Sequence, residues 1–125
     1  MEALAVLPVF FKLAGRRAVL AGGSDAAAWK AELLSAAGAD VDVYASEISQ
    51  EMREVAGNPP GGIIRLIERD WQTDDLSGAA IAIGAISDQQ EGLAFANAAR
   101  LHGVPVNVVD RPELCQFQFG SIVNR

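Results

Sequence analysis

Short, mostly apolar runs alternate with helix-forming segments along almost the whole chain, and this alternation limits the possible folds more than any other feature. Runs of this kind suit the strands of a parallel sheet, which are buried on both faces. Strands that alternate with helices build an open parallel sheet with right-handed crossovers. The sequence therefore predicts a single α/β domain over residues 1–125, a Rossmann-like doubly wound parallel sheet with helices on both faces. The predicted strands are Ala18–Ala21, Val41–Tyr44, Ile63–Ile67, Ala79–Ala85 and Val104–Val109.

Turn and capping residues delimit three predicted helices between those strands. In the first helix, Trp29, Leu33 and Ala37 recur at four-residue spacing and predict the buried face. At the start of the third, Asp88 precedes Glu91 by three residues, which is compatible with a capping box. The helices are predicted from a cap at Asp25 to a stop at Gly38, over Ile48–Ala56, and from Asp88 to near Gly103.

Three further segments lie outside these strands and helices. Leu4–Leu13 contains Pro8, and it predicts an arm or an edge strand. Trp71–Ser77 is polar and predicts a turn or a short helix. The tail Phe117–Val123 predicts one more strand.

The composition excludes several classes of function. The formal net charge is −6, whereas proteins that bind nucleic acids have a basic surface. The same negative charge disfavours contact with anionic lipid. No apolar run approaches the ~20 residues that span a bilayer, and no secretory pattern opens the chain. The one cysteine, Cys115, excludes an internal disulfide, and no cluster of His, Cys or carboxylates has metal-ligand spacing. We therefore expect a cytoplasmic domain with no nucleic-acid partner, no membrane partner and no metal site of its own.

The first strand-to-helix turn, Gly22–Ala27, is a candidate ligand site, because ligands of this fold bind beyond the carboxyl ends of the strands. Glycines allow a sharp turn there, and the following helix presents free N–H groups to a pyrophosphate. The dinucleotide fingerprint fails at its middle glycine, which is Ser24, and Asp25 adds a negative charge. In the alternative interpretation, the glycines only make a tight turn and Asp25 only caps the helix.

Two carboxylates follow predicted strands and are candidates for ligand chemistry. Glu47 comes after the second strand, where an acid binds the ribose of NAD; alternatively it is a charge in the first turn of the next helix. Asp110 follows the fifth strand at the same edge, where it can exchange a proton with a ligand. Alternatively, Asp110 is a turn or cap residue before Arg111 and Pro112.

Several segments of the chain resemble those of a known family, and they occur in the same order with similar spacing. The most specific of them is the Asn-Val-Val-Asp sequence that ends at Asp110. They are Leu7–Phe11, Arg17–Lys30, Val106–Asp110, Arg111–Cys115 and Ser121–Arg125. Together they resemble the N-terminal part of siroheme synthase and its stand-alone relatives, the precorrin-2 dehydrogenase/sirohydrochlorin ferrochelatase family. The resemblance implies NAD-dependent oxidation of precorrin-2 to sirohydrochlorin and insertion of ferrous iron as a substrate, in siroheme biosynthesis. It also implies a homodimer in the full-length form, of which this chain is a fragment.

The resemblance also assigns residues. It implies that Asp110 is the catalytic residue for both steps. Arg111, Arg125 and His102 are candidate contacts for the carboxylates of the tetrapyrrole; in the alternative interpretation, which is the more common case for single arginines, the two arginines are solvated surface residues. Cys115 is expected to be a structural cysteine rather than an iron ligand, and His102 a partner of the helix dipole. The implied NAD contacts are Gly22, Gly23, Ser24, Asp25, Ala26, Ser46 and Glu47.

Two positions depart from the family pattern. Ser24 stands where the family has a third glycine, and Ile86 stands where a hydroxyl-bearing residue is usual after the fourth strand. These departures keep a second interpretation open. In it, the chain is a degenerate or regulatory Rossmann-like module that binds a nucleotide or supports dimerisation without catalysis.

Overall fold

Residues 1–120, the part of the chain that this computed structural model describes, form a five-stranded sheet in which every pair of neighbours is parallel. The order across the sheet is β3-β2-β1-β4-β5, so the chain reverses its direction of winding between β1 and β4. This confirms the doubly wound parallel sheet predicted from the sequence. The strands are β1 Arg17–Ala21, β2 Asp40–Tyr44, β3 Ile64–Ile67, β4 Ile81–Gly84 and β5 Val106–Val108.

Within the same residues, serine and aspartate side chains cap the α-helices between the strands. The cap of α1 is Ser24, not Asp25 as predicted, because the Ser24 side chain accepts the N–H of Ala27 and Asp25 is already helical. Asp88 caps α3 as predicted, and accepts the N–H of Glu91 at 2.8 Å. The helices are α1 Asp25–Ala36, α2 Gln50–Gly57 and α3 Gln89–Leu101, with short 3₁₀ helices at Thr73–Leu76 and Pro112–Leu114.

Successive side chains of the strands point to opposite faces of the sheet, and they form one hydrophobic cluster on each face. Leu20 and Val43 point to the face covered by α1 and α2, whereas Val19 and Val106 point to the face covered by α3 with its buried Phe95. Helices therefore lie on both faces, as predicted. A sheet buried on both faces explains why its strands are nearly continuous apolar runs.

The buried side of α1 differs from the prediction. Trp29 is 53% exposed, and Ala37 is also exposed. Apart from Leu34, the buried residues of α1 have small side chains. Small side chains let the helix lie close to the strands, and an indole would hold it away. The buried residues of α1 are Ala27, Ala28, Ala31, Leu34 and Ser35.

The two ends of the described chain contain no strand between residues 1 and 12 or between 117 and 120. The first segment is an arm whose apolar side chains, such as Phe10, are exposed, while Leu13 enters the core. The tail runs beside β5, because Gln116 donates its N–H to Val106 and the Asn107 side chain donates to the Phe117 carbonyl. Residues 121–123 of the predicted tail strand lie outside the described residues.

A charged row crosses the α3 face of the sheet and was not predicted. Asp42, in the middle of β2, accepts from Arg17 on β1 at 2.7 Å and from Arg65 on β3 at 2.6 Å. Burial acts to raise the pKa of Asp42, but the hydrogen bonds and charges of the two arginines outweigh it, so its pKa lies below the ordinary value. The buried carboxylate thus stays ionised and ties three strands together.

Candidate functional site

A cleft of about 380 Å³ opens at the carboxyl ends of the strands, at the point where the strand order reverses between β1 and β4. Open α/β sheets bind their ligands at this position. Each of the loops that follow β1, β2, β3 and β4 contributes to the cleft. The lining residues that matter below are Gly22, Gly23, Ser46, Glu47, Asp70, Trp71, Ile86, Asp88 and Glu91.

The two glycines let neighbouring loops pack against the turn after β1. Gly22 has a φ of +127°, and a Cβ atom on it would lie 2.6 Å from the carbonyl oxygen of Ala85. A Cβ atom on Gly23 would overlap the carbonyl oxygen of Glu47. The Gly23 carbonyl also accepts the N–H of Ser49 at 2.8 Å. Only glycine fits at either position, so the turn is a close contact between loops as well as a wall of the cleft.

The N-terminus of α1 begins at this turn. Ser24 bends its Oγ atom back to the N–H of Ala27 at 3.2 Å. The N–H groups of Asp25 and Ala26 belong to the first turn of the helix and have no acceptor within it. Ser24, Asp25 and Ala26 are exposed and lie outside the cleft lining, whereas Gly22 and Gly23 line it. The structure thus separates the predicted contacts of this turn into cleft wall and helix end.

Ser46 and Glu47 line the cleft from the loop after β2, and both are exposed. Glu47 precedes the α2 cap, Ser49, by two positions, so it is not in the first turn of that helix. The alternative interpretation of Glu47 as a helix-start charge is therefore wrong. Gly22, Gly23, Ser46 and Glu47 are the predicted cofactor contacts that the structure brings together in one cleft.

The lining of the cleft is acidic. Glu47, Asp70, Asp88 and Glu91 contribute to it, and no lysine or arginine of residues 1–120 does. Asp88 is already engaged as the cap of α3. Ile86 stands in the cleft wall but is buried, and it packs into the core on the α3 side. Its apolar side chain therefore has a packing role, which the sequence comparison with the family pattern did not reveal.

Asp110 lies one strand further along the same edge, after β5, and does not line the cleft. It is exposed and has a φ of +63°, in a turn closed by a hydrogen bond from the Arg111 N–H to the Val108 carbonyl. Aspartate tolerates this left-handed conformation better than most residues. The Arg111 side chain donates to the Ser87 carbonyl at 2.9 Å, which links the Asp110 turn to the loop after β4.

The remaining candidates occupy structural positions. The Cys115 thiol donates to the carbonyls of Val108 and Arg111, which fits a structural cysteine. His102 is the C-cap of α3, where its ring can meet the helix dipole. Arg125 lies outside the described residues. Within residues 1–120 no cluster of side chains could hold a metal ion, and no helix is long and apolar enough to cross a membrane.

Sequence reasoning missed Asp70 and Trp71 as parts of the site. Both lie in the loop after β3, at the same carboxyl edge as the other lining residues. Sequence analysis placed Trp71 only at the start of a polar turn. The signal that was available is an aromatic residue among polar ones shortly after a predicted strand.

The arrangement fits a dinucleotide. The glycines have no side chain, so a ligand can come close to their backbone. The free N–H groups of α1 can bind a pyrophosphate, and Glu47 can accept hydrogen bonds from ribose hydroxyls. The glycines and the N-terminus of α1 belong to the turn after β1, and Glu47 belongs to the loop after β2. The close approach of Gly23 to the Glu47 carbonyl holds these two loops together.

Comparisons with known proteins agree with this description. The family model NAD_binding_7, of NAD(P)-binding domains, matches residues 9–121. The chain is 42% identical over 119 residues to siroheme synthase of Pseudomonas aeruginosa, which covers 95% of this chain and 25% of the relative. It is 40% identical over 119 residues to siroheme synthase of Methylococcus capsulatus, again 95% of this chain and 24% of the relative. The chain thus spans about a quarter of the length of these relatives.

A solved structure shares the fold. The precorrin-2 dehydrogenase SirC superposes with a TM-score of 0.64 at 20% sequence identity, over 94% of this chain and 54% of SirC. At this identity the likeness concerns the arrangement of the strands and helices. It agrees with the parallel sheet and the helices on both faces described above.

Proposed function

The chain belongs to the family of NAD(P)-binding domains whose model spans residues 9–121, and from that premise we propose that it is the nucleotide-binding part of an enzyme that oxidises precorrin-2 to sirohydrochlorin with NAD. The observation that carries the proposal is the cleft at the strand-order reversal, whose lining includes Gly22, Gly23 and Glu47. The names of the siroheme synthases and of SirC support the choice of substrate.

In this proposal the chain's residues divide the binding of NAD between them. The backbone at Gly22 and Gly23 and the N–H groups of Asp25 and Ala26 bind the pyrophosphate. Glu47, with Ser46 beside it, binds ribose hydroxyls, as an acid after the second strand does in this fold. When bound, NAD accepts a hydride from the substrate.

The acidic lining favours NAD over NADP. A 2′-phosphate on the adenosine ribose would lie near Glu47, and no cation of residues 1–120 lines the cleft to neutralise it. Like charges placed together disfavour binding. NAD is therefore the proposed cofactor.

Asp110 is proposed to exchange the proton that must leave the substrate as it is oxidised. It is exposed on the same edge as the cleft, and Arg111 ties its turn to the loop after β4. A tetrapyrrole that extends past the cleft toward β5 would meet this carboxylate. The Arg111 side chain is engaged with Ser87, so its role here is to position the turn rather than to bind a substrate carboxylate.

Three further expectations from the sequence are proposals for the whole protein. They are ferrous iron as a second substrate with Asp110 assisting its insertion, a homodimer, and a cytoplasmic location. A second candidate function is a module without catalysis. One observation in its favour is that the Ser24 side chain accepts a hydrogen bond from a helix N–H group that a phosphate could otherwise use. Another is that Ile86 places a buried apolar side chain in the cleft wall.

The test is precorrin-2 oxidation by the complete natural protein, with NAD, with NADP and without either. The proposal expects sirohydrochlorin to form with NAD and far more slowly otherwise. Sirohydrochlorin formation that does not depend on NAD would contradict the proposed cofactor role. Binding of NAD without any oxidation would favour the module without catalysis.

A further inference from the structure

Trp71 is the one flat aromatic surface in the cleft outside the strands, and its indole is held in place from behind. It is half-buried and packs against the core on the α3 side. Its ring meets Phe95 edge to face, with 5.1 Å between centroids and 86° between planes. A T-shaped pair occupies at most one face of the indole. Trp71 also lines the cleft, so it borders the space that a ligand would occupy.

The segment that carries Trp71 is fixed at several points. Arg69 makes two hydrogen bonds to the Asp75 carboxylate, at 2.8 and 2.9 Å, and the Gln72 N–H donates to the same carboxylate. Arg17 on β1 donates to the Asp75 carbonyl at 2.6 Å and to the Ser77 carbonyl at 3.0 Å. A wall that is already ordered loses less conformational entropy when a ligand binds.

The residue beside this wall offers a hydrogen-bond acceptor. Asp70 lines the cleft and is exposed, and its carboxylate has no hydrogen-bond or ion-pair partner in the described part of the chain. A flat aromatic ring that carries an amino group matches this pair. The ring would lie on Trp71, and the amino group would donate to Asp70.

The position along the cleft indicates which part of a dinucleotide fits. The pyrophosphate is proposed at the turn after β1, and a ribose at Glu47 after β2. Trp71 follows β3, which pairs with β2 on the side away from β1. The base attached to that ribose therefore lies toward Trp71.

We propose that Trp71 and Asp70 form the adenine-binding wall of the cleft, with the base against the indole and its exocyclic amine on the carboxylate. This inference rests on the proposed function, because it takes NAD as the ligand. It assigns the residues after β3 a specificity role that neither the glycine turn nor Glu47 can provide, because those contact phosphate and sugar.

The first test is the affinity for NAD, measured by calorimetry on the wild type, Trp71→Leu and a matched control, Trp29→Leu. Trp29 is the only other tryptophan and is 53% exposed on α1. Trp71→Leu should weaken binding about tenfold or more, the scale of a lost base–aromatic stack, and Trp29→Leu should leave it unchanged. Trp71→Phe keeps a ring against Phe95 and should fall between them. Wild-type affinity in Trp71→Leu would overturn the proposal.

The second test uses fluorescence and needs no turnover. In the Trp29→Phe protein Trp71 is the only tryptophan, and ADP-ribose, which contains the adenine but no nicotinamide, should change its emission. In Trp71→Phe the same titration should leave the emission of Trp29 unchanged. Binding of ADP-ribose by calorimetry with no change in Trp71 emission would contradict contact between base and indole.

The third test concerns Asp70. The wild type should bind NAD more tightly than its hypoxanthine analogue, which lacks the amine, and Asp70→Ala should remove that preference. An equal preference in both proteins would overturn the role of Asp70. If the wild type binds NAD and Trp71→Leu binds it equally well, the adenine wall is wrong and the proposed function stands. If the wild type binds no NAD, both are wrong.

Discussion

The Oγ atom of Ser24 accepts a hydrogen bond from the N–H of Ala27 at 3.2 Å, so the residue that interrupts the glycine fingerprint is also the cap of the helix that follows the glycines of the cleft wall. A capping side chain occupies one of the helix N–H groups that a pyrophosphate could use. The same hydrogen bond that stabilises α1 therefore competes with the proposed cofactor.

Ser24→Gly should strengthen NAD binding a few-fold, because it frees the Ala27 N–H and removes the side chain beside the phosphates. The stability cost should be only a few tenths of a kcal/mol, as for other caps replaced by glycine. Calorimetric titration and chemical denaturation measure the two effects. Ser49→Gly is the matched control, since Ser49 caps α2 with the same geometry and lies outside the cleft lining. NAD binding by Ser24→Gly that is equal to or weaker than that of the wild type would contradict the proposed competition between the Ser24 cap and the cofactor.

Gly22→Ala should destabilise the protein and impair the cleft together. The new Cβ atom would meet the Ala85 carbonyl oxygen at 2.6 Å, on a backbone with a φ of +127°. Gly15→Ala is the control, because Gly15 has a φ of +72° but nothing within 4 Å of the added atom. The control should lose ~1 kcal/mol from backbone strain alone, and Gly22→Ala should lose clearly more. Similar losses for the two variants, measured by urea unfolding, would show that the loop contact is unimportant.

The free energy of unfolding should fall at low pH, because Asp42 becomes protonated there and loses its ion pairs. Its pKa is lowered in the folded state from an ordinary value of 3.8, so folded molecules bind fewer protons than unfolded ones near that pH. The contribution is therefore complete above about pH 5 and is lost as the pH falls through the folded-state pKa. Asp75, whose pKa Arg69 also lowers, acts in the same direction.

Asp42→Asn tests this by unfolding measured at neutral and acid pH. It should cost roughly 1–3 kcal/mol at neutral pH, less than for a fully buried pair because the Arg65 side chain is 51% exposed. The difference from wild type should shrink on acidification. Glu68→Gln breaks the exposed pair with Arg53 and should change little. A constant difference at every pH would show that the lowered pKa does not contribute.

The sequence was sufficient to predict the sheet because each strand is short, apolar and bounded by turn residues. It could not reveal the row of Arg17, Asp42 and Arg65, since these residues are far apart in the chain and meet only once the order β3-β2-β1 is known. An acid inside an apolar strand was a signal of a buried ion pair. The prediction from Trp29 was wrong because four-residue spacing could not show that the buried side of α1 is formed mainly by alanines, with Leu34 as its one large side chain.

Asp110→Asn should lower precorrin-2 oxidation by the complete protein about 10²-fold or more, because the amide cannot accept a proton. Asparagine also tolerates the φ of +63°, so folding and NAD affinity should be unchanged. Asp74→Asn, an exposed acid outside the cleft lining, is the control. Wild-type oxidation by Asp110→Asn would reduce Asp110 to a turn residue.

The central claim, that this cleft binds NAD, is tested most directly by calorimetric titration of the chain with NAD and with NADP. We predict one NAD site per chain and binding of NADP about tenfold weaker or more, because its 2′-phosphate would lie near Glu47 in a lining without cations among residues 1–120. Absence of binding by either dinucleotide would contradict the claim. Equal affinity for both would contradict the proposed preference of the acidic lining for NAD.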